Sequence, residues 1–444
     1  MNKTAVLCLV AALILPHLPL VADHDPALTT VGAERSGNIK GTIPPWTGGI
    51  TAPPGGYSPG DWHPNPYQDD QVLFTINSEN VEKYSESLTA GHLALIEKYP
   101  DTYHLNIYPA RRSASHPQSV LDQTLKYSGK AKIVDGGAGI AGIVEGVPFP
   151  HPQNGEQAIW NARLSYKAGG FRGYHTMALT SADGDYDLTV GRRDIEFPYS
   201  DGKTTLEDYD NVKARVLTRA MRPAKKAGRM IISHRYLNSN NIERRRWTYD
   251  PGKRRIKRAS NNPRDMPEGS SEGIHVWDQE GMWRGPITDF NWALLGKREF
   301  YVPYNAYQLH DGDITADDII QAGHVNQRLT RYELHRVWVV EANLKEGRKH
   351  LYSRRRYYID EDSWRILAGE HFNSDGTVDR FSEAHTINYY EVPLIYPTLE
   401  TYYKLDTRRY FVTQIDNQYS PYDFSFDRGP SHYGPGRLKM KANR

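Results

Sequence analysis

Two hydrophobic periods divide the chain. Between Val81 and Tyr99 the apolar positions Val81, Tyr84, Leu88, His92, Leu95 and Tyr99 recur at helical spacing. Asn77 or Ser78 can cap the start and Pro100 stops the run, which predicts one helix whose stripe is core packing and whose His92 is a satisfied core residue. Leu105–Tyr108 predicts a short strand. Helices are predicted from near Pro117 to about Tyr127 and over Asn154–Tyr166, with Ile159, Ala162 and Tyr166 on one side. From Tyr174 the period shortens to two. Strands are predicted at 174–180, 185–191, 213–221, 229–238, 243–249, 254–258, 297–302, 332–344, 348–359, 364–372 and 377–390. Turn chemistry separates them at Asp183-Gly184, Ala227-Gly228, Asp250-Pro251-Gly252, Glu346-Gly347, Asp360-Glu361-Asp362 and Ser374-Asp375-Gly376. Links this short make antiparallel hairpins. The predicted class is therefore α+β: a large antiparallel sheet with a few helices.

The stretch from Arg244 to Tyr304 concentrates aromatic and basic residues. Trp247 and Tyr249 alternate with polar neighbours, Asp250-Pro251-Gly252 supplies the turn, and Ile256 resumes the apolar face on a basic return strand. Upstream, residues 23–76 are rich in Pro and Gly and predict an extended arm over the body, with Trp46 and Trp62 as anchors. The organisation read from the chain is a signal peptide over 1–22, the arm over 23–76, a helical segment packing on the sheet over 77–172, and an antiparallel body with a C-terminal extension over 173–444.

Residues 1–22 read as a secretory signal: Lys3 is the charged region, Ala5–Leu15 the apolar run and Ala22 the last residue before cleavage. Cys8 lies inside that run, not at its end after a small residue, so it is not read as a lipid-attachment site. The expected compartment is the periplasm, without a lipid anchor or a transmembrane segment in the mature chain. The formal charge is +2, or +1 once Lys3 is removed, which argues against a dedicated nucleic-acid binder. Basic runs at Arg244–Arg246, Lys253–Arg258 and Arg354–Arg356 read as solvated strand faces, whose anionic partners in the periplasm would be lipid headgroups or lipopolysaccharide. The thirty Tyr and nine Trp suit extended structure with amphipathic surfaces.

No nucleophile elbow, zinc-protease helix or phosphate loop is present; Asp135–Gly139 is a turn without the Gly-Lys-Ser/Thr ending. Asp183, Asp185, Asp187 and Asp194 have the spacing of a calcium loop, but Leu188 stands where the sharp turn needs Gly, so an exposed hairpin tip is expected. Glu333-Leu334-His335 is placed in a strand, and the alternation of faces is taken to stop the acid and the imidazole from sharing a metal. No catalytic residue, metal or cofactor is expected.

The Trp247-Thr248-Tyr249-Asp250-Pro251 hairpin resembles the lipoprotein-carrier superfamily of the bacterial envelope (LolA/LolB type). The chain more closely resembles the DUF1329 family, through Gly32-Ala33-Glu34, Gly41–Trp46, Gly146–Pro150, Lys297–Asn305, Arg331–Ala342 and Asp360–Trp364. That resemblance implies a half-open β-barrel curled around helices. It also implies a soluble periplasmic carrier or envelope-assembly factor for a lipid, acyl chain or lipoprotein, working with a transporter in the inner membrane and an outer-membrane protein. Trp247, Tyr249, Phe290, Trp292, Phe300 and Trp338 are the residues expected to line the concavity. The alternatives are a periplasmic hydrolase using an acid pair assembled in space, and a non-catalytic envelope scaffold.

Overall fold

The computed structural model describes residues 25–238, 244–260 and 264–438. The signal reading of residues 1–22, with Cys8, lies outside them. In chain order the elements are β1 (Phe74–Ile76), α1 (Ala90–Lys98), β2 (Leu105–Ile107), α2 (Gln118–Lys126), β3 (Lys132–Val134), β4 (Gly139–Ala141) and α3 (Gly155–Leu164). A run of strands follows: β5 (Gly170–Thr180), β6 (Tyr186–Glu196), β7 (Val212–Arg222), β8 (Met230–Tyr236), β9 (Arg245–Asp250) and β10 (Arg255–Arg258). After a long connection come β11 (Phe290–Pro303), α4 (Tyr307–His310), α5 (Ala316–Ile319), β12 (Tyr332–Leu344), β13 (Arg354–Asp360), β14 (Ile366–Phe372), β15 (Val378–Tyr389), β16 (Leu394–Lys404) and β17 (Tyr410–Thr413).

Fifteen of these strands form one open sheet. It is built from two meanders, β5–β10 and β11–β17, joined where β17 pairs with β5 through Val412 opposite Ala178. The pairings are antiparallel except at Tyr332 and Ile107, where β12 meets β2 in parallel, so the sheet is mixed. The chain is thus α+β, with a large mixed sheet that does not close and few helices.

The expected long helix is broken. Val81–Ser87 is a 3-10 turn, Leu88 is extended (φ −111°, ψ 144°), and α1 starts afresh with the Thr89 side chain accepting from the His92 amide. His92 is buried with Nε2 2.8 Å from the Glu383 carboxylate, a paired core residue. β16 escaped the sequence reading because Pro397 falls inside it. The sheet accommodates that proline at a register shift, where His385 faces Leu399 and Thr386 faces Pro397.

Both faces of the sheet are covered. Along β12, Trp338, Val340 and Ala342 join one apolar cluster, whereas Val337 and Val339 join another, as strand alternation requires. The first cluster includes Trp160 and Leu164 of α3, Ile195 of β6 and Val216 of β7. The second includes Leu95 of α1, Phe300 and Phe381. Residues 25–73 carry no helix or strand beyond an isolated Leu28–Glu34 bridge. They are nevertheless tied to the body: Trp364 Nε1 donates to the Val31 carbonyl (2.9 Å), and Trp46 Nε1 donates to that of Ala114 (3.1 Å).

Candidate functional site

Strand register decides what the inner face of β6–β9 presents. Ile195 faces Val216, Val216 faces Ser233, and Ser233 faces Arg246. This row lies on the α3 side, and Arg193, Arg235 and Arg244 share its face by period-two alternation. The neighbouring row, Asp194–Leu217–Ile232–Trp247, points the other way. There Trp247 and Tyr249 pack with Met230, Tyr433 and Leu438. The expected aromatic lining is therefore distributed over three places: Trp247 and Tyr249 on the far face, Phe300 in the α1-side core, and Phe290, Trp292 and Trp338 at the α3-side core. Trp292 and Trp338 are half-buried; Trp283 meets Trp292 edge-on at 5.1 Å, and Trp364 stacks on Trp338 at 6.1 Å.

What converges on the inner side is cationic. Arg163 comes from α3, Arg193 from β6, Lys213 from β7, Arg235 from β8 and Arg246 from β9; Arg244 directly precedes β9 and Arg284 lies on the connection to β11. Arg193 Nη1 (3.5 Å), Arg235 Nη2 (3.1 Å) and Arg284 all address the single carboxylate of Glu280. Arg244, Arg246 and Arg284 gather on the Trp277 ring at 4.5, 5.0 and 5.1 Å. Arg163 lies over Trp160 and Trp283 at 5.3 and 5.9 Å. The arginine and lysine runs read as solvated faces are thus only half so: Arg245 is exposed, whereas its neighbours Arg244 and Arg246 turn inward.

The electrostatics show how little anionic compensation these groups have. Burial lowers Arg163, Arg193 and Arg235 to about 10 and Arg244 to about 9, and nearby arginines add to the effect at Arg163, Arg193 and Arg244. Burial, then Arg163, Arg235 and Arg284, push Lys213 well below its ordinary value; Arg284 is pushed down by burial and by Arg235, Arg244 and Arg193. A guanidinium does not give up its proton at neutral pH, so at the arginines the shift expresses strained charge; Lys213 can respond by losing its proton. The cluster still meets solvent: side-chain exposure is 22% at Arg193 and Arg235, 16% at Arg284 and 25% at Glu280. This partly accessible cluster of cations beside the indoles of Trp160, Trp277 and Trp283 is the basic recess of β6–β9.

A second charged cluster, at the start of β12 and the end of β13, is built differently. Glu333 and His335 stand two residues apart and therefore on one strand face, which corrects the expectation that alternation sends them to opposite faces: His335 Nε2 lies 3.1 Å from Glu333 Oε2. Arg112 grips both oxygens of Asp362 (2.9 and 2.7 Å), Lys297 pairs with Glu361 (2.8 Å) and Arg331 with Glu333 (2.7 Å). His335, Asp360 and Asp362 offer ligand atoms within 4.8 Å of one another, the grouping among the described residues that could hold a metal ion. Both Asp362 oxygens already serve Arg112, and each acid has a basic neighbour, so the arrangement is that of an ion-pair hub. Burial acts to lower His335, but Glu333, Asp360 and Asp362 outweigh it and raise it. His335 and Glu333 are buried, out of reach of a substrate.

The sequence reading missed Arg193, Lys213, Arg235 and Arg284. They stand outside the basic runs read from the chain and on separate elements, and only the register of β6–β9 and the path of the following connection bring them together.

The family described as "Protein of unknown function (DUF1329)" matches residues 75–439. An uncharacterised protein of Pseudomonas aeruginosa is 38% identical over 424 residues, covering 94% of this chain and 92% of its own. Among solved structures, a DUF1329 family protein from Desulfovibrio piger overlaps 63% of this chain and 95% of its own at 12% identity and a TM-score of 0.42. A putative outer membrane lipoprotein-sorting protein domain from Vibrio parahaemolyticus overlaps 63% and 94% at 14% identity and a TM-score of 0.41. A LolA superfamily protein from Nitrosomonas europaea overlaps 64% and 98% at 12% identity and a TM-score of 0.38. With a family match across 75–439 and a relative this close along nearly its whole length, the chain belongs to the DUF1329 family.

Proposed function

We propose that the protein is a periplasmic carrier or envelope-assembly factor that binds an amphipathic, lipid-like ligand and holds its anionic headgroup in the basic recess of β6–β9. The observation that carries this reading is the imbalance of charge there. Arg193, Arg235 and Arg284 share one carboxylate, and Lys213, Arg244 and Arg246 have no ion pair with an acid among the described residues. Buried cations are kept when something pairs with them, and an anion bound from solution supplies what the fold does not.

The mode differs from an acyl chain sunk in an aromatic hollow. The space beneath Trp364 and Tyr166 measures about 10 Å³, room for one water, so it takes no chain. The apolar part of the ligand would instead follow the half-buried Trp292 and Trp338, which adjoin the same core as α3. Each CH₂ buried there contributes about 0.8 kcal/mol. Catalysis has little support, because the His335–Glu333 and His92–Glu383 pairs are enclosed. Incubating the protein with phospholipid vesicles and then sedimenting them tests the reading. Lipid that leaves with the supernatant protein supports carriage; protein that stays lipid-free over vesicles of both neutral and anionic composition contradicts it.

A further inference from the structure

The chemistry of the recess narrows the headgroup. Glu280 has two oxygens and is asked to satisfy three guanidinium groups from β6, β8 and the connection to β11. Donors remain over: the buried Nε atoms of Arg163, Arg193, Arg235 and Arg246 have no hydrogen-bond partner. Those of Arg193, Arg235 and Arg246 belong to side chains on one sheet face. Guanidinium forks suit tetrahedral oxyanions, which accept paired N–H groups from several directions. Stacking on Trp277 holds Arg244, Arg246 and Arg284 in place before anything binds. A phosphate monoester brings three acceptor oxygens and roughly −1.5 to −2 charges at neutral pH. Set against Arg163, Arg193, Lys213, Arg235, Arg244, Arg246 and Arg284, a single such group leaves most of the positive charge uncompensated.

We propose that the recess takes a ligand bearing more than one phosphate group, and that Glu280 fills one phosphate position from within the chain. This rests on the reading that the recess receives an anionic headgroup, and it adds the headgroup's class and the carboxylate it displaces. Glu280 is a quarter exposed, about as much as Arg193 and Arg235, so an incoming anion can reach it together with them. Its departure frees Arg235 Nη2, which donates to both of its oxygens (3.1 and 3.2 Å).

Calorimetric titration of the full chain with pyrophosphate, orthophosphate, sulfate and acetate at constant ionic strength tests this. Pyrophosphate is expected to bind about tenfold or more tighter than sulfate, with acetate silent. R193Q and R235Q should each weaken pyrophosphate about tenfold. E280Q removes only a carboxylate, so it keeps the test valid should an arginine variant fail to fold; it should tighten pyrophosphate severalfold. Dihexanoyl phosphatidic acid and dihexanoyl phosphatidylcholine identify the source. A gain in affinity for the phosphatidic acid over orthophosphate assigns the phosphate to a lipid, and equal affinity assigns it to a soluble polyphosphate; both outcomes support a phosphate site. Equal binding of sulfate and pyrophosphate, unchanged by E280Q, overturns it. Arginine-dependent binding of the phosphatidylcholine with none of pyrophosphate also overturns it, while leaving the carrier reading standing.

Discussion

His63 Nδ1 lies 3.0 Å from His310 Nε2, and the outer nitrogen of each ring meets a carboxylate. His63 Nε2 is 2.8 Å from Glu391, and His310 Nδ1 is 2.9 Å from Asp416. Each outer nitrogen serves as the donor to its carboxylate oxygen. Tyr57, Tyr389, Tyr390 and Trp62 pack around the rings, and Thr398 also donates to Asp416. The contact joins the segment before β1 to α4 and the β15–β16 turn.

Protonating both rings fully would put two N–H groups face to face at the inner contact. Burial lowers His63, partly offset by Glu391, so its contribution is present above its unfolded value of about 6.5 and is lost as pH falls below it. Burial acts to raise Glu391, but His63 outweighs it and holds it low, so its contribution fades further down, below about 4.3. Hydrogen exchange at residues 57–67, corrected for intrinsic rates, should therefore be faster at pH 5.5 than at pH 7.5, and H63Q should flatten that dependence. Equal protection at the two pH values would contradict a lowered His63.

Two adjacent arginines should behave very differently. Arg112 is buried and clamps Asp362, so R112A leaves a buried carboxylate unpaired and should cost about 3–5 kcal/mol in urea unfolding. Arg111 pairs with Asp70 but keeps 41% of its side chain in solvent, and R111A should cost at most about 1 kcal/mol. Similar losses for both would mean that the hub does not depend on Arg112.

Gly91 marks the contact between α1 and β15. A Cβ there would stand 2.0 Å from the Phe381 ring, inside the α1-side core. G91A should destabilise by about 1–3 kcal/mol, despite alanine's better helix propensity. An increase in stability would show that α1 does not sit this close to the sheet.

Lys213 makes the recess report on its occupant. Burial and its arginine neighbours hold it well below its ordinary value, and an anion placed beside it reverses the second of these. Binding should then be linked to proton uptake, seen as different apparent enthalpies in buffers of different ionisation heat, and K213M should abolish the difference. Absence of uptake in the unsubstituted protein would place the anion elsewhere.

Much of this architecture is legible in the chain, and the exceptions have physical reasons. The period change near Tyr174 separates helices from sheet because burial on one face imposes it. The break at Thr89 was hidden because the apolar spacing continues across it, while a side-chain cap restarts the helix. The alternation of Arg246 with Trp247 shows two faces but not which is inside. Apolarity argued for the indole, whereas Tyr433 and Leu438, far along the chain, cover that face. The recess was the least readable feature, since Arg193, Arg235 and Arg284 acquire meaning only once strands pair and the Trp277–Arg284 loop folds over them.

Native mass spectrometry of the protein purified from its own cell envelope, side by side with the R193Q/R235Q double variant, tests most directly whether this recess binds an anionic ligand. An anionic lipid should co-purify with the unsubstituted protein and be lost from a folded double variant. Bound mass that is identical in the two proteins, or carries no anionic group, would contradict anion binding there.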